Sequence, residues 1–289
     1  MDNKITNKQK LIRQEPSPAV AKKVKLRLDV KDVVRGPDYS GNNAESVDGI
    51  TVLYEDNHLL VVVKPQNIPT QADSSGDEDM LSKLKAYLVK KYDKPGEAYL
   101  GLVHRLDRPT GGVMVFAKTS KAASRLCEQI KDKDGDFEKN YAAVTYGRPN
   151  RTGKVEHFLV KDAQTNTVTV APSSLEGAKK AVSEITLLDE KNGLSLVKVK
   201  LVTGRTHQAR VQLKAVGAPI VGDRRYAPEK AQKSAYLALW AYRLVFTHPV
   251  TGDKMTFLAS PPDEYPWTEF DLSALTDVVR PTDTNHYFN

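Results

Sequence analysis

The sequence lacks most of the features that would make its chemistry easy to place. It has one cysteine, Cys127, in 289 residues. No internal disulfide or thiolate zinc site can form, and the usage fits a reducing compartment. Its six histidines are scattered, with no pair at a ligand spacing beside a carboxylate, so no metal site is expected. There is no Walker-type or dinucleotide-type glycine pattern, which argues against a phosphate-cradling nucleotide loop. The longest purely aliphatic run, residues 59–63, is far below the roughly 18 residues of a membrane span. The opening MDNKITNKQK has no apolar signal core. Together these absences predict a cytoplasmic protein that needs no membrane, metal or cofactor.

What is present is ordinary in bulk and uneven in charge. Hydrophobic residues make up 40% and charged residues 27%, as in soluble globular proteins. The length suits one large domain or two small ones. Of the net charge of +7, six units fall in residues 1–37, which hold ten Lys or Arg and four Asp or Glu. A basic arm ahead of a near-neutral body reads equally as a nucleic-acid tether or as a solvated tail. Residues 24–30 alternate apolar and polar as a short strand would, and 36–46 read as a linker. The expected layout is therefore a basic arm and linker over 1–47, a main domain over 48–270 and a tail over 271–289, with no internal repeat.

Hydrophobic patterning predicts strands at 51–54, 59–64, 112–117, 141–146, 167–171, 181–188 and 194–202. Leu81, Leu84, Leu88 and Tyr92 share one face of a helix over 80–92. A second helix begins at Ser120, and Thr206 is placed to cap a third that runs through Val216 to Gly217. Strands dominate, and alternation such as Val197, Val199 and Leu201 against Lys198 and Lys200 leaves one face wet. This predicts an α+β fold on a mixed, largely antiparallel sheet with flanking helices and loops.

The stretch GLVHRLDRPTGG sets one carboxylate, Asp107, between Arg105 and Arg108 beside a Pro-Gly-Gly bend. A solvated turn is one reading; a carboxylate kept ionised by flanking charge on a rigid loop is the other. Three further stretches stand out: EKNYAAVTYG, LVTGRTHQARVQL and AVGAPIVGDRRYAP. In order along the chain, DNHLLVVVKP, HRLDRPTGG, KNYAAVTYG, LVTGRTHQARVQL, GAPIVGDRRY and FTHPVTGDKMTFLASPP resemble the motifs of the RluA-type pseudouridine synthases. They span residues 50–262.

That resemblance implies isomerisation of uridine to pseudouridine in ribosomal or transfer RNA, by a monomer. Asp107 would be the catalytic carboxylate, acting on the ribose, on the base or on a sugar proton. It further implies that Arg205 pairs with Asp107. Tyr141 would stack on the target base and relay the C5 proton, and Arg105 would fill the gap left by the flipped uridine. Leu201, or Val202 beside it, closes the apolar wall, with His207, Gln208 and Arg210 against the substrate. The family's frequent S4-type RNA-binding module is not expected, since residues 1–47 are too few and too irregular for it. This chain departs from the family pattern at Pro109 and Gly111 in the loop, and at Trp240, where a His is usual between Leu239 and Ala241. The rival readings are a non-catalytic RNA-binding or RNA-folding factor on the same fold, and a carboxylate hydrolase, which would need a second acid.

Overall fold

The structure, a computed structural model, describes residues 46–230 and 234–275. Expectations for residues 1–45 and 276–289, the basic arm and its short strand included, lie outside the described residues.

In chain order the elements are β1 (Ser46–Val47), β2 (Ile50–Glu55), β3 (Leu59–Lys64), α1 (Met80–Lys91), β4 (Gly101–Leu102), β5 (Gly111–Ala117), α2 (Ser120–Lys131) and β6 (Glu138–Tyr146). There follow β7 (Gly153–Asp162), β8 (Thr167–Ala171), β9 (Lys179–Lys191), β10 (Leu194–Leu201), α3 (Gln208–Ala215), β11 (Leu239–Thr247) and β12 (Lys254–Leu258). The described strands form one sheet in the order β1-β2-β3-β5-β11-β6-β10-β9-β7-β8, with β12 on β11 and β4 on β5. Only β5 and β11 pair in parallel. The mixed, largely antiparallel α+β architecture is the expected one.

The centre of the sheet is buried on both faces. All seven residues of β5 are buried. Met114 and Phe116 point into the core beneath α1, with Leu60 and Val62 of β3. Val113, Val115 and Ala117 point the other way, towards α2, with Leu59 and Val61. Each large apolar side chain buried this way contributes about 1.5–3 kcal/mol relative to exposure. Helix α1 buries Met80, Leu84 and Leu88. Tyr92, expected on that face, lies past the helix end, half exposed, with its hydroxyl on Glu55 Oε1.

Several boundaries differ from the expected ones. Strand β6 starts at Glu138, so Tyr141 sits inside the strand and not at its start. Strands β7, β11 and β12 were not expected. Thr206 does not cap α3: that helix begins at Gln208, behind His207 at φ +53°, and no side chain caps it. The sheet begins at Ser46, two residues before the expected domain start. Phe270 and Leu275 belong to the main core, so the packed body continues past residue 270.

Candidate active site

The loop between β4 and β5 is tied down at nearly every residue. His104 accepts the Val115 N–H through Nε2 at 3.1 Å. Thr70 Oγ1 donates to the Leu106 carbonyl at 2.8 Å. Asp107 O receives Thr110 N–H at 2.9 Å, which closes the turn, and Arg108 O receives Asn67 N–H at 2.8 Å. Gln66 Nε2 bridges the carbonyls of Pro109 and Leu237 at 3.0 and 2.7 Å. Lys64, at the end of β3, is fully buried. Its Nζ donates to the carbonyls of Pro65, Arg108 and Thr110 at 2.9, 3.1 and 2.9 Å, one acceptor for each of its protons. Burial pushes its pKa down to about 7, with Asp107 acting against that and Arg108 with it.

Arg108, one of the two arginines flanking Asp107, is structural. It reaches Asn67 O, Ser75 Oγ and Asp77. Arg105 is exposed and makes no hydrogen bond or ion pair with any described residue.

The departures at Gly111 and Trp240 are a single steric event. Trp240 pairs with Gly111 across the parallel β5–β11 junction, and its indole Nε1 donates to Ala259 O at 2.9 Å. A Cβ at residue 111 would stand 2.2 Å from the Trp240 ring. A serine at position 111 therefore cannot coexist with this tryptophan as placed. Gly112, at φ +120°, would set a Cβ 2.3 Å from Ala241 O, so glycine is required there for both reasons.

Around Asp107 the structure corrects one expectation. Arg205 does not pair with the carboxylate; it is exposed, and its Nε donates to Lys180 O at 3.0 Å. The arginine beside Asp107 is Arg210, whose Nη1 lies 3.7 Å from Oδ2. Residue 205 sits in the turn ahead of α3, whereas 210 lies in its first turn, facing the loop. Arg210 is buried and forked onto Asp223 at 2.9 and 2.7 Å, with its guanidinium over the Tyr226 ring. Asp223 also receives the N–H groups of Arg225 and Tyr226. Burial opposes the charge on Arg210, but Asp223 and then Asp107 more than offset it.

His207 completes this side. Its Nε2 is 4.0 Å from Asp107 Oδ2 and its Nδ1 is 2.6 Å from the Tyr226 hydroxyl. That hydroxyl accepts Val168 N–H at 3.0 Å. Every group is satisfied if Tyr226 donates to Nδ1, which leaves the proton of a neutral imidazole on Nε2, facing the carboxylate. Burial lowers the His207 pKa, although Asp107 pulls it up.

Tyr141 is buried against the same cleft, and its hydroxyl has no partner among the described residues. Burial, then the charge of Asp107, pushes its pKa up, so the phenol keeps its proton. Leu201 lines the cleft opposite Lys139 in the β6–β10 register, two residues from the Val199–Tyr141 pair. Gln208 also borders it, but its polar atoms are spent on Thr203, Arg205 N and Val182 O. These bonds make it a builder of the turn ahead of α3. Lys64, Asp223 and Tyr226 went unassigned in the sequence, although each lies inside a stretch that stood out there.

Asp107, Tyr141, Leu201, His207, Gln208 and Arg210 line a cleft of about 1570 Å³. Among the described residues its lining holds ten lysines and arginines and only two aspartates, a surface suited to a polyanion.

A family model described as RNA pseudouridylate synthase matches residues 58–215. The chain is 32% identical over 225 residues to ribosomal large subunit pseudouridine synthase D of Zymomonas mobilis, covering 74% of this chain and 70% of that protein. It is 33% identical over 228 residues to the uncharacterized RNA pseudouridine synthase YlyB of Bacillus subtilis, covering 76% and 72%. The solved human RNA pseudouridylate synthase domain containing 4 has the same fold, with a TM-score of 0.62 at 23% identity over 78% of this chain and 92% of that one. Asp107, Tyr141, His207 and Arg210, which meet around one cationic cleft, all lie in the matched segment, and the chain belongs to the RNA pseudouridylate synthase family.

Proposed function

We propose that this RNA pseudouridine synthase modifies uridine in large-subunit ribosomal RNA, with Asp107 as the catalytic carboxylate. It acts as a cytoplasmic monomer without metal or cofactor. The reading rests chiefly on one observation: a fastened loop presents Asp107 to a cleft lined by cations, next to the buried phenol of Tyr141 and the guanidinium of Arg210. Relatives named for the ribosomal large subunit support the choice of RNA.

The chemistry fits a lone carboxylate. The C1′–N1 bond breaks and uracil departs as a delocalised anion, so no acid is needed at the leaving group, unlike the alkoxide of a glycoside. The base turns, C1′ bonds to C5, and the C5 proton is lost while N1 gains one. Tyr141 stacks on the base and stays protonated, as suits a group that passes a proton on. Arg210, held by Asp223, orients Asp107. A hydrolase would need a second carboxyl beside Asp107, and the nearby Asp223 is occupied by Arg210. A non-catalytic RNA-binding factor would need the cationic cleft but neither Asp107 nor Tyr141.

The test is to incubate the protein with protein-free large-subunit ribosomal RNA and, separately, with unmodified transfer RNA transcripts, then map pseudouridine in each. Conversion at one or a few uridines of the ribosomal RNA alone is expected. Conversion confined to transfer RNA would overturn the choice of substrate, and conversion in neither would overturn the reading.

A further inference from the structure

Lys139 is the anomaly in the cleft. Two residues before Tyr141 on β6, it points to the same side of the strand, and both line the cleft. Its neighbour Glu138 faces away and is taken by Lys200 and Arg243. Lys139 itself is partly buried, and its ammonium has no hydrogen bond or ion pair with any described residue. The charge beside it has the wrong sign: Lys133 follows α2, and Lys133 in turn neighbours Arg205, ahead of α3. The nearby imidazole of His104, held by burial and then by Lys139 to a pKa of about 3, is neutral. Burial first, then Lys133, lowers the pKa of Lys139 to about 8.

Gly204 supplies a second, independent observation. Its φ is not in the left-handed region, so no turn requires a glycine there. A Cβ on it would come within 3.1 Å of Lys139 Nζ and meet nothing else within 4 Å. The missing side chain leaves open space over the ammonium.

A partly buried cation among cations is unfavourable until an anion arrives. RNA carries one anion per nucleotide, and residues two apart on a strand lie roughly 7 Å from each other, the scale of a single nucleotide. We propose that Lys139, flanked by Lys133 and Arg205 over Gly204, seats one backbone phosphate of the bound RNA, beside the uridine that stacks at Tyr141. This rests on the reading of the chain as a synthase acting on RNA.

The test measures affinity for a single-stranded oligouridylate across salt concentrations for wild type, Lys139→Met, Lys139→Arg and Gly204→Ala. A remote control is Lys254→Met, whose lysine pairs with Asp136 outside the cleft. One lost phosphate contact on a single strand should reduce the slope of log affinity against log salt by about 0.7, and weaken binding about fivefold at moderate salt. Lys139→Met should show both changes, Gly204→Ala a partial loss of affinity, and Lys139→Arg and Lys254→Met neither. Lys139→Met should also melt at or above the wild-type temperature, because the free protein loses an unpaired charge. An unchanged slope in Lys139→Met, or a sharp fall in its melting temperature, would overturn the phosphate seat while leaving the synthase reading intact. A wild type with no salt-dependent RNA affinity would overturn both.

Discussion

The catalytic loop and the β6 wall face each other across one cleft and treat their lysines in opposite ways. On the loop side, Lys64 is fully buried and gives each of its protons to a backbone carbonyl. On the wall side, Lys139 is partly buried with no acceptor among the described residues, beside Lys133 and a neutral His104. Burial depresses both pKa values, so burial alone does not tell the two apart. The difference lies in the acceptors. A buried cation whose protons are all placed holds geometry, whereas one left without acceptors beside a cleft is available to a ligand. The loop thus presents Asp107 in one position, and the wall leaves a cation without an acceptor beside the cleft.

The strongest way to break this contrast is to disturb the packing under the loop. Gly111→Ser would drive a side chain into the Trp240 ring and should cost about 3 kcal/mol of stability or more by chemical denaturation. In a Trp240→His background the same change should cost less than about 1 kcal/mol. The coupling in this double-mutant cycle would measure the compensation directly, and additive effects would refute it.

Next in size is Lys64→Met. It leaves three carbonyls short of a charged donor and should lower stability by about 2–3 kcal/mol, with turnover falling as the loop loosens and oligouridylate affinity close to wild type. A weakened affinity with unchanged stability would put Lys64 in the same class as Lys139.

The smallest effect is a pH dependence. With its pKa lowered to about 8 by burial and Lys133, Lys139 is charged below that value, and a bound phosphate raises the pKa further. RNA affinity should hold below pH 8 and fall as pH rises beyond it. Lys139→Arg should remove most of that fall, because a guanidinium does not titrate there. Of the other neighbouring groups, His104 stays neutral. Lys133, also lowered by burial and by Arg205, accounts for any remainder. An identical pH profile in the two proteins would contradict the assignment.

The sequence exposed much of the fold and some of the residues that the structure gathers around the cleft. Strands such as β3 and β5, and helices such as α1 with Leu84 and Leu88 at helical spacing, carry local signals. Strand β11 escaped because it is buried between β5, β6 and β12, and LWAYRLVFT therefore shows no alternation. Strand β7 escaped for the opposite reason: only Val155 and Leu159 of its ten residues are buried. The resemblance pointed to Asp107, Arg105 and Tyr141, which the structure brings to one cleft. The choice between Arg205 and Arg210 was not legible, because it depends on where α3 starts, and a left-handed His207 shifted that start from the expected Thr206 cap. Lys64 and Lys139 looked alike in sequence, since the Lys64 acceptors Arg108 and Thr110, 44 and 46 residues away, leave no local trace. The mutual dependence of Gly111 and Trp240, 129 residues apart, is visible only once β5 and β11 lie side by side.

The most direct test of the whole account is Asp107→Asn, assayed for tritium release from RNA labelled at uridine C5, with oligouridylate affinity measured across salt on the same preparation. The amide keeps the shape and loses the proposed reacting carboxylate, while the proposed phosphate seat at Lys139 lies on the opposite wall. The account predicts release below a few per cent of wild type, with affinity and salt slope unchanged. Substantial release from Asp107→Asn would show that the chemistry resides in another residue and would contradict the assignment of this site.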